Sequence, residues 1–163
     1  MKTKFLLPNK FIKVGFILLG LSILLMLFTG IFGDIKLLTK FPVFYIYNSG
    51  VFPAISDAQN HLMGFMYDDI HYELIVTLFV LGCVFIGFSR LKSEDEYTVN
   101  LRLESLLWAM YVNFAIFLFS VLFIYGLFFL EIQLYCLLAF LAIFNLRFYY
   151  MLYQSKKSSR NEK

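Results

Sequence analysis

Twenty consecutive residues from Val14 to Gly33 carry no ionisable side chain, and as a helix they cover about 30 Å, the thickness of a bilayer's hydrocarbon core. A run of that length requires an apolar surround and internal satisfaction of every backbone polar group, which for one continuous segment means a helix. Three further runs follow: Leu74 to Ser89, Ser105 to Leu130, and Ile132 to Leu146 continued past Arg147 to Tyr153. The second is short and is extended by Arg90, whose stem can snorkel. Arg147 is read as lying near a membrane face. Charged residues are only 15% of the chain and hydrophobic residues 61%, with a mean hydropathy of +0.77, too few charges to cover a water-soluble domain.

The expected architecture is an all-α membrane protein with four transmembrane helices in one domain, residues 1–163. Its spans are placed at 13–33, 71–90, 105–129 and 131–153, with a loop at 34–70, a loop and helical stalk at 91–104, and a tail at 154–163. Lys2, Lys4, Lys10 and Lys13 resemble the basic start of a secretory signal, but the apolar run is too long and Phe28 to Gly33 lacks small residues in cleavage register. The first span is expected to be retained. Twelve of the fourteen Lys and Arg fall in the N-terminal tail, the middle loop and the C-terminal end, against Lys36 and Lys40 in the first loop. Basic residues stay on the cytoplasmic side, so the reading is N-in/C-in at a bacterial cytoplasmic (inner) membrane, multi-pass, with Tyr149, Tyr150 and Tyr153 in the inner aromatic belt. The bilayer is the partner this implies; the basic tails suit anionic headgroups and do not imply nucleic acid.

In the 34–70 loop, Phe41 to Tyr47 is rich in strand formers and Asn48-Ser49-Gly50 supplies turn chemistry, which suits a short hairpin or an interfacial loop. Ser56 to Gln59 has the form of a capping box, and Ala58, Leu62, Phe65 and Met66 fall at helical spacing, so a short surface helix is expected there. Such a loop is a ligand-sensing cap or a connector whose aromatic residues rest in the headgroups; the absence of a polar pocket favours the connector. His61, Asp68, Asp69, His71 and Glu73 include the residue types that hold metals. His61, Asp69, His71 and Glu73 are weak metal candidates, since their spacing matches no cluster and acidic residues before a helix act as caps. No cofactor is expected.

In the middle loop Ser93 and Glu96 form a capping box. A helix starting there projects about 18 Å before the bilayer, at 1.5 Å per residue, and aligns Tyr97, Leu101, Glu104 and Trp108 on one face. That stripe is a docking surface for a cytoplasmic partner or the packing face of a stalk. Within the spans, the third run leaves room for a turn near Gly126 to Leu130, and a tight turn placed at residue 129 or 130 brings Asn113 level with Asn145 and Arg147, an interhelical polar contact worth about 0.5–2 kcal/mol.

The chemistry-bearing motifs of known small bundles are missing. Cys83 and Cys136 are single and intramembrane, unlike the exposed pairs of disulfide-generating enzymes. Both His lie in the first loop, not in spans where they would bind haem, and no Asp or Glu sits mid-span as small multidrug exporters require. No phosphate loop, nucleophile elbow or H-E-x-x-H occurs. Catalysis is therefore not expected. Glu94-Asp95-Glu96, Leu101 to Leu106, Trp108-Ala109 and Val112-Asn113 resemble a group of small bacterial four-helix membrane proteins without an assigned activity. The resemblance covers mainly residues 90–153. It implies the four-helix layout and, because some of those proteins are encoded beside helix-turn-helix regulators, a regulator-associated membrane component; it brings no site residue. Two function classes remain: a non-enzymatic protein acting through interaction as scaffold or sensor, with a protein partner or a second copy of itself, and a small oligomeric transporter whose pathway uses Asn113, Thr77, Ser120 and Gln133.

Overall fold

The computed structural model describes residues 6–33, 41–48, 61–92 and 94–161. Along the chain come α1 (Lys10–Phe32), β1 (Phe41–Asn48), β2 (His61–Asp68), α2 (His71–Gly87), α3 (Glu96–Phe123) and α4 (Leu127–Asn161). Three stretches, Lys10–Ile31, Glu96–Phe123 and Phe128–Ser155, are long and apolar enough to cross a membrane. Only 11%, 11% and 17% of their most apolar windows is buried, so most of their Leu, Ile and Phe side chains face outward, which suits lipid and points to a membrane protein. α2 is equally apolar but has 17 residues, about 25 Å of helix.

The chain divides into two compact units, Met1–Gly20 with Leu78–Lys163, and Leu21–Thr77. In the first, α3 and α4 form a helical hairpin around Leu101, Ala109, Phe144 and Phe148, all buried. Gly126, at φ +86, makes the turn that joins them; only glycine enters that region without steric cost. The turn thus lies at residues 124–126, where α3 has ended at Phe123 and α4 has yet to begin, and not at 129 or 130. α4 then continues without a break to Asn161, so the expected tail from 154 to that point is helical.

α1 and α2 meet where both lack side chains. A Cβ at Gly82 would stand 2.9 Å from the Leu19 backbone nitrogen, and one at Gly15 would stand 3.0 Å from the Gly82 carbonyl oxygen. Small residues let two backbones approach this closely, which is how helices gain contact in lipid, where no hydrophobic force draws them together. Gly87 serves α4 in the same way, its missing Cβ leaving room for the Phe144 ring and the Asn145 amide oxygen.

In the second unit, Ser22 Oγ donates to the Ile75 carbonyl at 3.0 Å. β1 and β2 pair antiparallel, with Phe41 opposite Asp68 and Asn48 opposite His61. The strand expected over Phe41 to Tyr47 is present, but its partner comes from beyond a twelve-residue connection, not from a turn at 48–50. The helix expected across Leu62, Phe65 and Met66 is instead β2; its start at Ser56 to Ala58 lies outside the described residues. Gly64 weakens a helix by about 1 kcal/mol relative to Ala, whereas the β1 backbone pairs with this aromatic segment on both sides of a break at Ile46 and Met63. Phe44 and Phe65 face each other across the ladder, ring centroids 5.3 Å apart. On that same face Pro42 and Tyr67 are exposed.

Candidate functional site

One group of polar residues in the first unit gathers where α1 begins. Pro8 has no N–H and biases Leu7 toward extended backbone, so the chain enters α1 only after pairing as a strand. Leu7 N–H donates to the Phe88 carbonyl at 3.0 Å, and Arg90 N–H donates to the Leu7 carbonyl at 2.9 Å. Asn9 closes the join, its Nδ2 donating to the Arg90 carbonyl at 2.7 Å.

Arg102, in the second turn of α3, fastens this join to the hairpin. Its Nη1 donates to Glu94 Oε1 at 2.8 Å and its Nη2 to the Ser89 carbonyl at 3.1 Å. The guanidinium lies over Phe148 of α4, 5.0 Å from the ring centroid. Both side chains are largely removed from solvent, at 10% exposure for Arg102 and 15% for Glu94. One planar, always charged fork therefore holds the end of α2, the connecting loop, α3 and α4, a geometry that lysine cannot copy.

Beside this lock opens a cleft of about 460 Å³. α1 supplies Ile12 and Lys13 next to Asn9, the α2–α3 connection Leu91, Lys92 and Asp95, α3 Tyr97 and Thr98, and α4 Leu152 and Ser155. Asp95 is the N-cap residue of α3, yet its side chain makes no capping bond, and Ser93 lies outside the described residues. The cleft therefore combines ammonium groups, a helix start and an apolar wall.

The structure distributes the residues singled out from sequence in several ways. Leu101 is buried in the core, while Tyr97, Glu104 and Trp108 are exposed, so the expected stripe divides into one packing residue and three surface residues. Arg147 stacks on Trp108, its Cζ 4.5 Å from the ring centroid. Asn145 reaches α2: its Nδ2 donates to the Cys83 carbonyl at 3.0 Å and to the Leu141 carbonyl at 2.9 Å. Asn113 is not brought to either residue, and its Oδ1 is buried without a partner. Gln133 Nε2 donates to Ser120 Oγ across the hairpin at 3.4 Å. Asn113, seven residues before Ser120, is thus level with Phe140, about 10 Å from Arg147 along the helix. The turn at Gly126 sets this register.

In the other unit the side chain of His61 lies outside the described residues, Asp69 and Glu73 are exposed, and His71 is buried with its ring 3.9 Å from that of Tyr72. Among the described residues no three His, Cys, Asp or Glu gather as metal ligands would. The residues that sequence reasoning missed are Asn9, Ser89, Glu94 and Arg102; only Arg102 carried a signal, a charge between Leu101 and Leu103 on a helix otherwise entering an apolar run.

These features define a class: helical, with three membrane-crossing candidates, a short fourth apolar helix and an open cleft that mixes polar and apolar lining. No family model, no curated protein and no solved structure matches the chain.

Proposed function

We propose that this is a multi-pass protein of the bacterial cytoplasmic membrane, crossing it four times with both termini inside and acting through interaction rather than catalysis. The observation that carries this reading is the cleft beside the Arg102 lock. The segments joined by Arg102 border an open, mixed-charge recess at the end where α1 and α3 begin and α4 leaves its span. These segments also present Tyr97, Glu104 and Trp108 on an exposed strip of α3. Exposed aromatic side chains beside charges on a fixed helix are typical anchors for a protein partner. The transport reading has less support, because Ser120 and Gln133 bond to each other.

Two measurements test it. Lys92→Cys and Phe65→Cys, each in a chain with Cys83 and Cys136 replaced by Ala, report sidedness to a membrane-impermeant thiol reagent. Labelling of position 65 and not 92 in intact cells is expected, and the reverse overturns the orientation. A mild-detergent pull-down with mass spectrometry then compares the native chain with Tyr97→Glu/Glu104→Arg, which alters the strip and leaves the lock intact. A partner lost on substitution supports docking. Identical partners with both chains refute it.

A further inference from the structure

The cleft sets cationic and hydroxyl side chains beside an apolar wall. Lys13 and Lys92 both line it and are otherwise exposed, and among the described residues neither enters an ion pair. Thr98 is nine-tenths buried, at 6% exposure, and lies on the cleft wall; no hydrogen bond among the described residues engages its hydroxyl. α3 begins there without a side-chain cap, its first helical bond running from Val99 N–H to the Asp95 carbonyl. The Tyr97 and Thr98 amides therefore precede the hydrogen-bonded ladder and add the positive end of a 28-residue helix. Ammonium groups, hydroxyl and amides together form a donor set, which suits phosphate oxygens. Ile12, Leu91 and Leu152 supply an apolar wall beside it. One lining group opposes an anion, the carboxylate of Asp95.

We propose that this cleft binds a phospholipid headgroup, its phosphate held by Lys13, Lys92 and Thr98 and its glycerol end against Ile12, Leu91 and Leu152. The proposal rests on the membrane reading above, since it places the cleft at headgroup depth, but its test uses purified protein and is independent of sidedness. Lipid bound here would tie α1, α3 and α4 together at one membrane face, so lipid composition would set how firmly that end is closed.

The experiment is a thermal-shift titration of the full chain in neutral detergent with dioctanoyl-phosphatidylglycerol, with phosphate-free dioctanoylglycerol and inorganic phosphate in parallel. Phosphatidylglycerol is expected to raise the midpoint, dioctanoylglycerol not. Lys13→Gln/Lys92→Gln should raise the half-maximal concentration about tenfold or more, because each lysine near a lipid phosphate is worth about fivefold. Thr98→Val should raise it by about two- to fivefold, and Asp95→Asn should lower it. Lys10→Gln, an exposed lysine outside the cleft, should leave it unchanged and so separates a site from general charge attraction. An equal response to dioctanoylglycerol, or to phosphatidylglycerol in the double lysine variant, overturns the proposal. Stabilisation by inorganic phosphate alone, lost in the same variants, also overturns it and assigns the cleft to a soluble anion. Release of the chain from membranes by alkaline carbonate, with phosphatidylglycerol still acting on purified protein, would defeat the membrane reading and leave the lipid site standing.

Discussion

Replacing Arg102 by Met tests whether one side chain holds an end of the bundle. The substitution removes the 2.8 Å ion pair to Glu94, the 3.1 Å bond to the Ser89 carbonyl and the cation above Phe148. What remains is more costly than what is lost: a carboxylate at 15% exposure with no counter-charge. Breaking a buried pair by deleting one member costs about 3–5 kcal/mol, and partial solvent access at both side chains lowers this to about 2–4 kcal/mol. Glu94→Gln should cost less, about 1–2 kcal/mol, because a neutral amide can still accept from Arg102. Removing both charges, as Arg102→Met/Glu94→Gln, should recover most of the loss, since no uncompensated buried charge remains. The coupling between the two sites should be about 1.5–3 kcal/mol. An SDS titration in mixed micelles reads all four chains through Trp108, the one tryptophan. Single variants within about 0.5 kcal/mol of the native chain, or losses that simply add, would refute the assignment of Arg102 as the fastening residue.

Three further outcomes are expected. Asn145→Ala should destabilise by about 0.5–1.5 kcal/mol through loss of its bond to α2, whereas Asn113→Leu should be neutral or stabilising, because its buried oxygen has no partner to lose; the same SDS titration compares them, and the opposite order would count against the α3–α4 register that Gly126 sets. Gly82→Leu should separate α1 from α2 and reduce the folded fraction in size-exclusion profiles, while Gly20→Leu, with nothing within 4 Å of its Cβ, should not. Phe44→Ala should expose an edge of the hairpin and speed proteolysis between β1 and β2 by several-fold, since the Phe44–Phe65 pair contributes about 0.5–1.5 kcal/mol; an unchanged cleavage rate would show that the pair does not hold the strands.

The helices are legible wherever charge or glycine marks a boundary. Gly33, at φ +78, ends α1 by a left-handed cap, with its N–H donating to the Thr29 carbonyl at 3.0 Å. Sequence brackets the α3–α4 turn between Gly126 and Leu130 but sets its tight point at 129 or 130, because Glu131 looks like the boundary and charge cannot locate a bend inside an apolar run. Gly126 is the available signal. The hairpin is half legible: Leu62, Phe65 and Met66 satisfy a helical spacing, and only pairing with a segment some twenty residues earlier decides for a strand. That information is tertiary, so no local pattern contains it.

The site is less legible still, and the reason lies in how polar side chains behave within apolar helices. Thr29, Ser89, Ser105 and Ser120 all donate to carbonyls three or four residues earlier in their own chain, so they satisfy themselves locally and do not choose a neighbour. Asn145, Ser22 and Arg102 instead reach a different segment. Composition and spacing are the same in kind for both groups; a serine at residue 22 and one at 105 look alike in sequence. Because lipid gives helices no hydrophobic reason to associate, the pairing rests on those few cross-chain bonds and on close approach at Gly15, Gly82 and Gly87. Arg102 also has partners eight and thirteen residues before it and an aromatic ring 46 residues after it, none within one helical turn. A charge in that position reads from sequence as an interfacial basic residue that fixes topology, and only the packed chain converts it into the bolt that frames the cleft.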